Sequence, residues 1–374
     1  MTLIVPTQAP SRFYRRRIRV LIVDDSPTQR QLIARHLTQD GRFAVVGAAA
    51  GADEAQRLLP VCAPDVMTLD VDMPGLDGVT FLKGLMRERP MAVVMLSAST
   101  PAGSDAALEA LRIGAVDCLE KGRSALTPGP DSLAERVAVA ARVRIVPGSA
   151  ARRGPVQSVR ASRGPARPCG AEVCLIGAST GGVVALEEIV MGWPADCPAT
   201  AIVQHMPARY ITRFAERLNR GAAPRVKVAE DGEPLRPGLI LFAPGNGMDL
   251  TIRAEGRNLK AALVPHDSGL GAHCPSVEAL FRSAVVCADR TLAVLLTGMG
   301  HDGVAAMGHL RRAGAQTLAQ DQASCAIFGM PGAALASGAA SRAVPLSAMA
   351  AEILGACGAQ GGPQAADGHG PARP

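Results

Sequence analysis

Aromatic side chains make up 3% of the 374 residues, with a single tryptophan, so the cores must be built from Val, Leu, Ile, Ala and Met. No stretch reaches the ~18 uninterrupted apolar residues of a membrane span, so no direct membrane insertion is expected. The N-terminal arginines are not followed by the apolar run of a signal peptide. The nine cysteines are scattered, with no C-x-x-C pair and no His/Cys cluster at zinc spacing. That pattern excludes a disulfide scaffold and suits thiols in cores in a reducing cytoplasm, so a cytoplasmic protein is expected. The formal charge is +6. Its excess lies in Arg15, Arg16, Arg17 and Arg19 and in a run from Arg136 to Arg167. Neither place interleaves aromatics with the arginines or carries a recognition-helix pattern, so both read as solvated basic segments and no nucleic-acid partner is expected.

What is present is alternation. From Arg19, the strand-length runs RVLIV (19–23), FAVVGA (43–48), VMTLD (66–70), AVVMLS (92–97) and AVDCL (115–119) are separated by helical-period segments. A final helix is expected over 132–144. Residues 147–170, rich in Gly, Pro, Ser, Ala and Arg, break every periodicity and read as a flexible linker. Alternation resumes with VCLIGA (173–178), TAIVQ (200–204), GLILFAP (238–244), LAVLLTG (292–298) and AQTLAQ (315–320), with a polar hairpin around 250–264 and helices that include 276–287. Strands alternating with helices predict two doubly wound parallel-sheet α/β domains. The expected division is 18–137, a linker over 138–170, 171–357, and a disordered tail over 358–374.

Ligands of parallel sheets bind beyond the carboxyl ends of the strands. In the first unit those ends carry Asp24-Asp25, Asp70 and Ser97, with Lys121 after the fifth strand. Single aspartates after strands are ordinary turn residues; five chemistry-bearing residues gathered at four strand ends are not. Three converging carboxylates repel unless a hard cation such as Mg²⁺ neutralises them. The cation then shields phosphoryl oxygens while a carboxylate attacks phosphorus, giving an aspartyl-phosphate. Lys121 and Ser97 are placed to hold phosphoryl oxygens.

The motifs VDDSP, LDVDMPGLDG and LSAS resemble the flavodoxin-like receiver domain of bacterial response regulators. The resemblance implies that Asp70 accepts a phosphoryl group from a histidine kinase, and that Asp24, Asp25, Asp70 and the backbone carbonyl of Asp72 hold Mg²⁺. Two positions depart from the pattern: Gly122 stands where a proline usually follows the lysine, and Cys118 where an aromatic usually precedes it by three.

In the second unit, LIGASTGGVVAL (175–186) is a strand running into a helix through a glycine-rich corner. Such a corner can cradle a phosphate or lift a nucleophilic serine. A phosphate loop would need a lysine before Ser/Thr, and none is there; G-x-S-x-G around Ser179 is present. His205 follows the next strand and Asp302 lies just past the LAVLLTG strand, so Ser179, His205 and Asp302 are positioned to meet at one sheet edge. His266, His273 and His301 are further candidates, and His301, beside Asp302, competes directly with His205. A neutral imidazole would activate the serine and a buried carboxylate would fix its tautomer. Amides at Thr180 and near Met299 are candidate oxyanion donors.

IGASTGG, VQHMP, APGNGMDL, HCPSVEALF, TGMGHDG and FGMP, in this order, resemble the Rossmann-like catalytic domain of bacterial chemotaxis protein-glutamate methylesterases. The resemblance implies a Ser179–His205–Asp302 triad, with Thr180 and Met299 lining the oxyanion region and no cofactor for the esterase. It implies γ-glutamyl methyl esters on the cytoplasmic helices of chemoreceptors as substrate, glutamine deamidation as a second activity, and an unphosphorylated receiver covering the cleft. His301 departs from the asparagine usual before the catalytic aspartate.

Overall fold

A computed structural model describes residues 16–98, 100–129, 132–143, 170–270 and 273–358. Most of the linker segment and all but the first residue of the C-terminal tail expected from sequence lie outside the described residues. The first half alternates β1 (Ile18–Val23), α1 (Pro27–Asp40), β2 (Phe43–Ala49), α2 (Ala52–Cys62), β3 (Val66–Asp70), α3 (Gly78–Glu88), β4 (Ala92–Ser97), α4 (Pro101–Ile113), β5 (Asp117–Glu120), α5 (Arg123–Leu126) and α6 (Leu133–Ala140). Its five strands pair in parallel in the order β2-β1-β3-β4-β5. Side chains on both faces of β3 and β4 are buried, which is why these strands read as unbroken apolar runs. Several helices open on side-chain caps: Ser26 accepts from the Gln29 amide, Asp77 from Thr80 and Thr100 from Gly103.

The second half comprises β6 (Val173–Ala178), α7 (Gly182–Met191), β7 (Ala199–Gln204), α8 (Ala208–Gly221), β8 (Arg225–Val228), β9 (Leu239–Phe242), β10 (Met248–Glu255), β11 (Asn258–Pro265), α9 (Val277–Ser283), β12 (Thr291–Leu295), α10 (Val304–Arg312), β13 (Gln316–Gln320), α11 (Met330–Ala336), β14 (Arg342–Val344) and α12 (Leu346–Ala356). Its seven-stranded sheet runs β14-β13-β12-β6-β7-β9-β8, parallel throughout. β10 and β11 form the expected antiparallel hairpin.

Four labelled elements go beyond the sequence reading: the short helix α5, the edge strands β8 and β14, and α12. The helix expected over 276–287 stops at Ser283 and continues as a tighter turn in which Cys287 leaves helical geometry. The terminal helix of the first half is shorter than expected, spanning Leu133–Ala140. Among the described residues no helix is long and apolar enough to cross a membrane.

The halves pack against each other. One buried apolar cluster runs from Ala107, Leu108 and Leu111 of α4 into Val183 and Leu186 of α7 and Tyr210 and Ile211 of α8. Ion pairs ring the contact: Arg209 with Glu120 and Arg217 with Glu109. The carboxyl edge of the second sheet therefore faces β5 and α6 of the first half.

Candidate active site

β6 lies between β12 and β7, and Ala178 is register-matched to Gln204 while Gly177 is matched to Leu295. Each strand delivers its next residues to the same edge. The Ser179 amide donates to the Thr297 carbonyl at 3.0 Å, and the Gln204 side-chain amide donates to the Ser179 carbonyl at 2.9 Å. A Cβ on Gly298 would lie 2.7 Å from the Ser179 Cβ and 2.6 Å from the Met330 sulfur. The glycines of this corner serve close packing around the serine.

His205 is 5% exposed, and its amide donates to the Ala178 carbonyl at 3.0 Å. Its Nε2 lies 2.8 Å from Oδ2 of Asp302, and its ring stacks on His273 with centroids 4.2 Å apart. Asp302 also accepts from the amides of Val277 at 2.7 Å and Glu278 at 3.1 Å, and from the Ser276 hydroxyl at 3.4 Å. Burial works to raise the Asp302 pKa. The hydrogen bond and charge of His205, with the two amides, outweigh it and hold the carboxyl below its ordinary value. An ionised carboxylate can only accept, so Nε2 carries the proton and Nδ1 the lone pair. Among the described residues no hydrogen bond joins the Ser179 hydroxyl to the imidazole, although both border the same cavity. Such contacts commonly tighten only once substrate is bound.

A cleft of about 870 Å³ opens beside Ser179, lined by Met299, His301, Asp302 and His273. His301 is exposed, and the imidazole paired with Asp302 is that of His205. His266 is paired elsewhere, its Nδ1 2.8 Å from Asp249. Thr180 is held from the other half of the molecule. Its hydroxyl donates to Asp117 of β5 at 3.2 Å and accepts from Arg136 of α6 at 3.3 Å. Arg136 corrects the reading of the basic run as solvated: it is 7% exposed and ion-paired with Asp117 at 2.9 Å. No signal in the sequence separates it from the arginines that follow.

At the edge of the first sheet, Asp24 and Asp70 are buried and Asp25 is exposed, with one oxygen of each within 4.8 Å of the others. Lys121 Nζ lies 2.8 Å from Asp24 and 2.6 Å from Asp70. Burial raises the Asp70 pKa, against the opposing pull of Lys121. An all-oxygen donor set of two buried carboxylates and one exposed one, in which the buried acids are costly to ionise, fits a hard divalent cation. Asp72 is exposed and its amide donates to Asp70 Oδ1 at 3.2 Å. The Ser97 hydroxyl donates to the Ala98 carbonyl at 3.2 Å. Gly122 has φ of 151°, a conformation closed to the proline usual there.

The sequence pattern of the response regulator receiver domain matches residues 20–126, and that of CheB methylesterase matches residues 174–353. The protein-glutamate methylesterase/protein-glutamine glutaminase 1 of Caulobacter vibrioides is 44% identical over 345 residues, 90% of this chain and 97% of that protein. The chain belongs to the CheB methylesterase family. A Pseudomonas aeruginosa member, protein-glutamate methylesterase/protein-glutamine glutaminase 2, is 41% identical over 90% of this chain and 96% of its own. The crystal structure of the Thermotoga maritima CheB methylesterase catalytic domain matches with 30% identity and a TM-score of 0.47, covering 49% of this chain and 97% of that one. Membership with a receiver domain implies control by phosphorylation, with Mg²⁺ as the ion such domains use and a histidine kinase as donor.

Proposed function

We propose that this protein hydrolyses γ-glutamyl methyl esters on the cytoplasmic helices of chemoreceptors, releasing methanol, and that Ser179, His205 and Asp302 carry the reaction. The observation that carries the reading is the 2.8 Å contact from His205 Nε2 to a carboxylate that already accepts two backbone amides. That carboxylate fixes the imidazole tautomer and stabilises the imidazolium formed when Nδ1 takes the serine proton. Ser179 attacks the ester carbonyl, and the tetrahedral oxyanion is held by the amides of Thr180 and Met299, each worth roughly 3–4 kcal/mol. His205 returns its proton to the departing methanol. Water, deprotonated by the same imidazole, then cleaves the acyl-enzyme to glutamate. The same steps on a glutamine side chain release ammonia, giving the deamidase activity in the relatives' name. The chemistry runs in the cytoplasm on soluble domains.

In the receiver, Asp70 is the phosphoacceptor, with Lys121 and Ser97 as the groups that hold phosphoryl oxygens. Mg²⁺, held by Asp24, Asp25, Asp70 and the Asp72 carbonyl, supplies charge neutralisation at the phosphoryl group. Without phosphorylation, Asp117 and Arg136 sit on the Thr180 hydroxyl, and a long receptor helix cannot reach Ser179 past them. Moving a docked state from 99:1 to 1:99 needs about 5.5 kcal/mol of differential stabilisation. Smaller shifts still give large relative activation.

The test is methanol release from membranes carrying methylated receptors, with and without a small-molecule phosphodonor, for wild type, Ser179→Ala and Asp70→Asn. Ser179→Ala is expected to lose release, and Asp70→Asn to keep the basal rate and lose the phosphodonor response. An active Ser179→Ala protein overturns the mechanism; a phosphodonor response in Asp70→Asn overturns the switch.

A further inference from the structure

Among the described residues, one cluster of metal-ligating side chains stands outside the triad and the receiver's acidic pocket. Asp249 of β10, His266 just past β11 and Cys274 just before α9 each place one donor atom within 4.8 Å of the others. Asp249 is 1% exposed, and its Oδ1 accepts the Ser276 amide at 2.8 Å. Its Oδ2 is turned to the cluster, 2.8 Å from Nδ1 of the half-buried His266. The Cys274 thiol is half-buried and donates to the Met248 carbonyl at 3.7 Å, a weak contact. Cys274 also borders a cavity of about 220 Å³ that touches His205 and His273.

The donor set differs in kind from the all-oxygen pocket of the receiver. Mg²⁺ and Ca²⁺ prefer oxygen, whereas a carboxylate, an imidazole and a thiolate together suit a borderline-soft ion such as Zn²⁺. The charges balance as well: thiolate and carboxylate cancel a dication, and the imidazole is neutral. Metal–ligand bonds of about 2.0–2.3 Å set tetrahedral donor atoms about 3.3–3.8 Å apart, so the present spacing asks for shifts of about 1 Å or less.

We propose that Asp249, His266 and Cys274 form a site for one divalent ion of the Zn²⁺ class, with water at the fourth position. On binding, the thiol gives its proton to solvent and sulfur donates to the metal. The imidazole carries its proton on Nε2, so the Nδ1 lone pair meets the ion where it now faces Oδ2. The Ser276 amide holds the Asp249 carboxylate in orientation, as the partners of metal ligands commonly do. Such an ion ties the hairpin of β10 and β11 to the residue beside His273, whose ring stacks on His205 with centroids 4.2 Å apart.

The test uses the full chain, reduced and freed of transition metals, in Mg²⁺ to occupy the receiver. Titration with Co²⁺ is expected to give a thiolate-to-cobalt charge-transfer absorption and tetrahedral visible bands at one ion per chain, both discharged by Zn²⁺. The absorption should persist in Asp70→Asn and disappear in Cys274→Ser. His266→Ala should weaken Co²⁺ binding by more than about a hundredfold, beyond the 10–100-fold lost with a partner that only orients a ligand. A second readout needs no variant: Zn²⁺ at tenfold its apparent Kd should slow alkylation of Cys274, followed by peptide mass mapping, about tenfold. Labelling of Cys325, also half-buried, should not change. Absence of the thiolate band, a band retained in Cys274→Ser, or Cys274 labelling indifferent to Zn²⁺ overturns the proposal and leaves Asp249 and His266 as a hydrogen-bonded pair only.

Discussion

Replacing Asp302 by Asn changes one atom, and the structure sets its consequences. Oδ2 accepts from His205 at 2.8 Å and Val277 at 2.7 Å; Oδ1 accepts from Glu278 at 3.1 Å and Ser276 at 3.4 Å. An amide offers one acceptor and one donor, so one side must face an N–H with an NH₂ group. Keeping the carbonyl at Oδ2 preserves the shorter contacts and the imidazole tautomer, but puts NH₂ against the Glu278 amide and removes the negative charge. The opposite rotamer puts NH₂ against Val277 and reverses the tautomer, so the proton on Nδ1 faces the serine side. Unsatisfied buried polar groups cost about 1–3 kcal/mol of stability. Losing the charge or the tautomer costs on the order of 10³–10⁴ in kcat, roughly 4–5.5 kcal/mol of transition-state stabilisation. Methanol release at saturating receptor should show that fall with KM within a few-fold of wild type. A decrease of less than tenfold would remove Asp302 from the mechanism.

Other outcomes follow from single contacts. Gly298→Ala would place a methyl against Ser179 and Met330, and should cost about 1–3 kcal/mol in stability by thermal melt and depress kcat by displacing the serine. Arg136→Met leaves the docked Asp117 carboxylate with only the Cys118 amide and the Thr180 hydroxyl and no counter-charge; methanol release without phosphodonor should rise at least about tenfold, since breaking a buried pair costs about 3–5 kcal/mol. Because the Asp302 pKa is lowered in the fold, its stabilisation is present above the unfolded value of about 3.9 and is lost as pH falls through the folded value. The difference in melting temperature between wild type and Asp302→Asn should therefore be constant near neutrality and shrink below about pH 4. A chelator should abolish the phosphodonor response and leave the basal rate unchanged.

The strands that build both sites were readable because parallel strands covered on both faces leave continuous apolar runs, as in VCLIGA and ATAIVQ. The strands that were missed, RVKV and RAV, are short edge elements with few apolar residues and little pattern to detect. The helix LSAMAAEILGA was missed because it is apolar nearly all round and shows no polar face. Ser179, His205 and Asp302 stood out as polar residues at strand ends; their spacing alone left His301 in competition with His205, the family resemblance chose His205, and His205 is the imidazole that lies 2.8 Å from Asp302. Asp117, Arg136 and Tyr210 had no such signal. Their contacts join the two halves across 44, 63 and 92 residues of chain, and nothing local in the sequence encodes which faces of two separate sheets meet.

The covalent step at Ser179 is open to a direct measurement. Methylated receptor membranes are turned over by the phosphorylated protein with hydroxylamine added as a competing nucleophile, and released methanol, receptor glutamate and receptor glutamyl hydroxamate are quantified. An acyl-enzyme predicts that hydroxamate replaces glutamate in proportion to hydroxylamine, and that all three products vanish in Ser179→Ala. Methanol release with no enzyme-dependent hydroxamate, or with Ser179→Ala still active, would mean that water attacks the ester directly and that the serine is not the nucleophile.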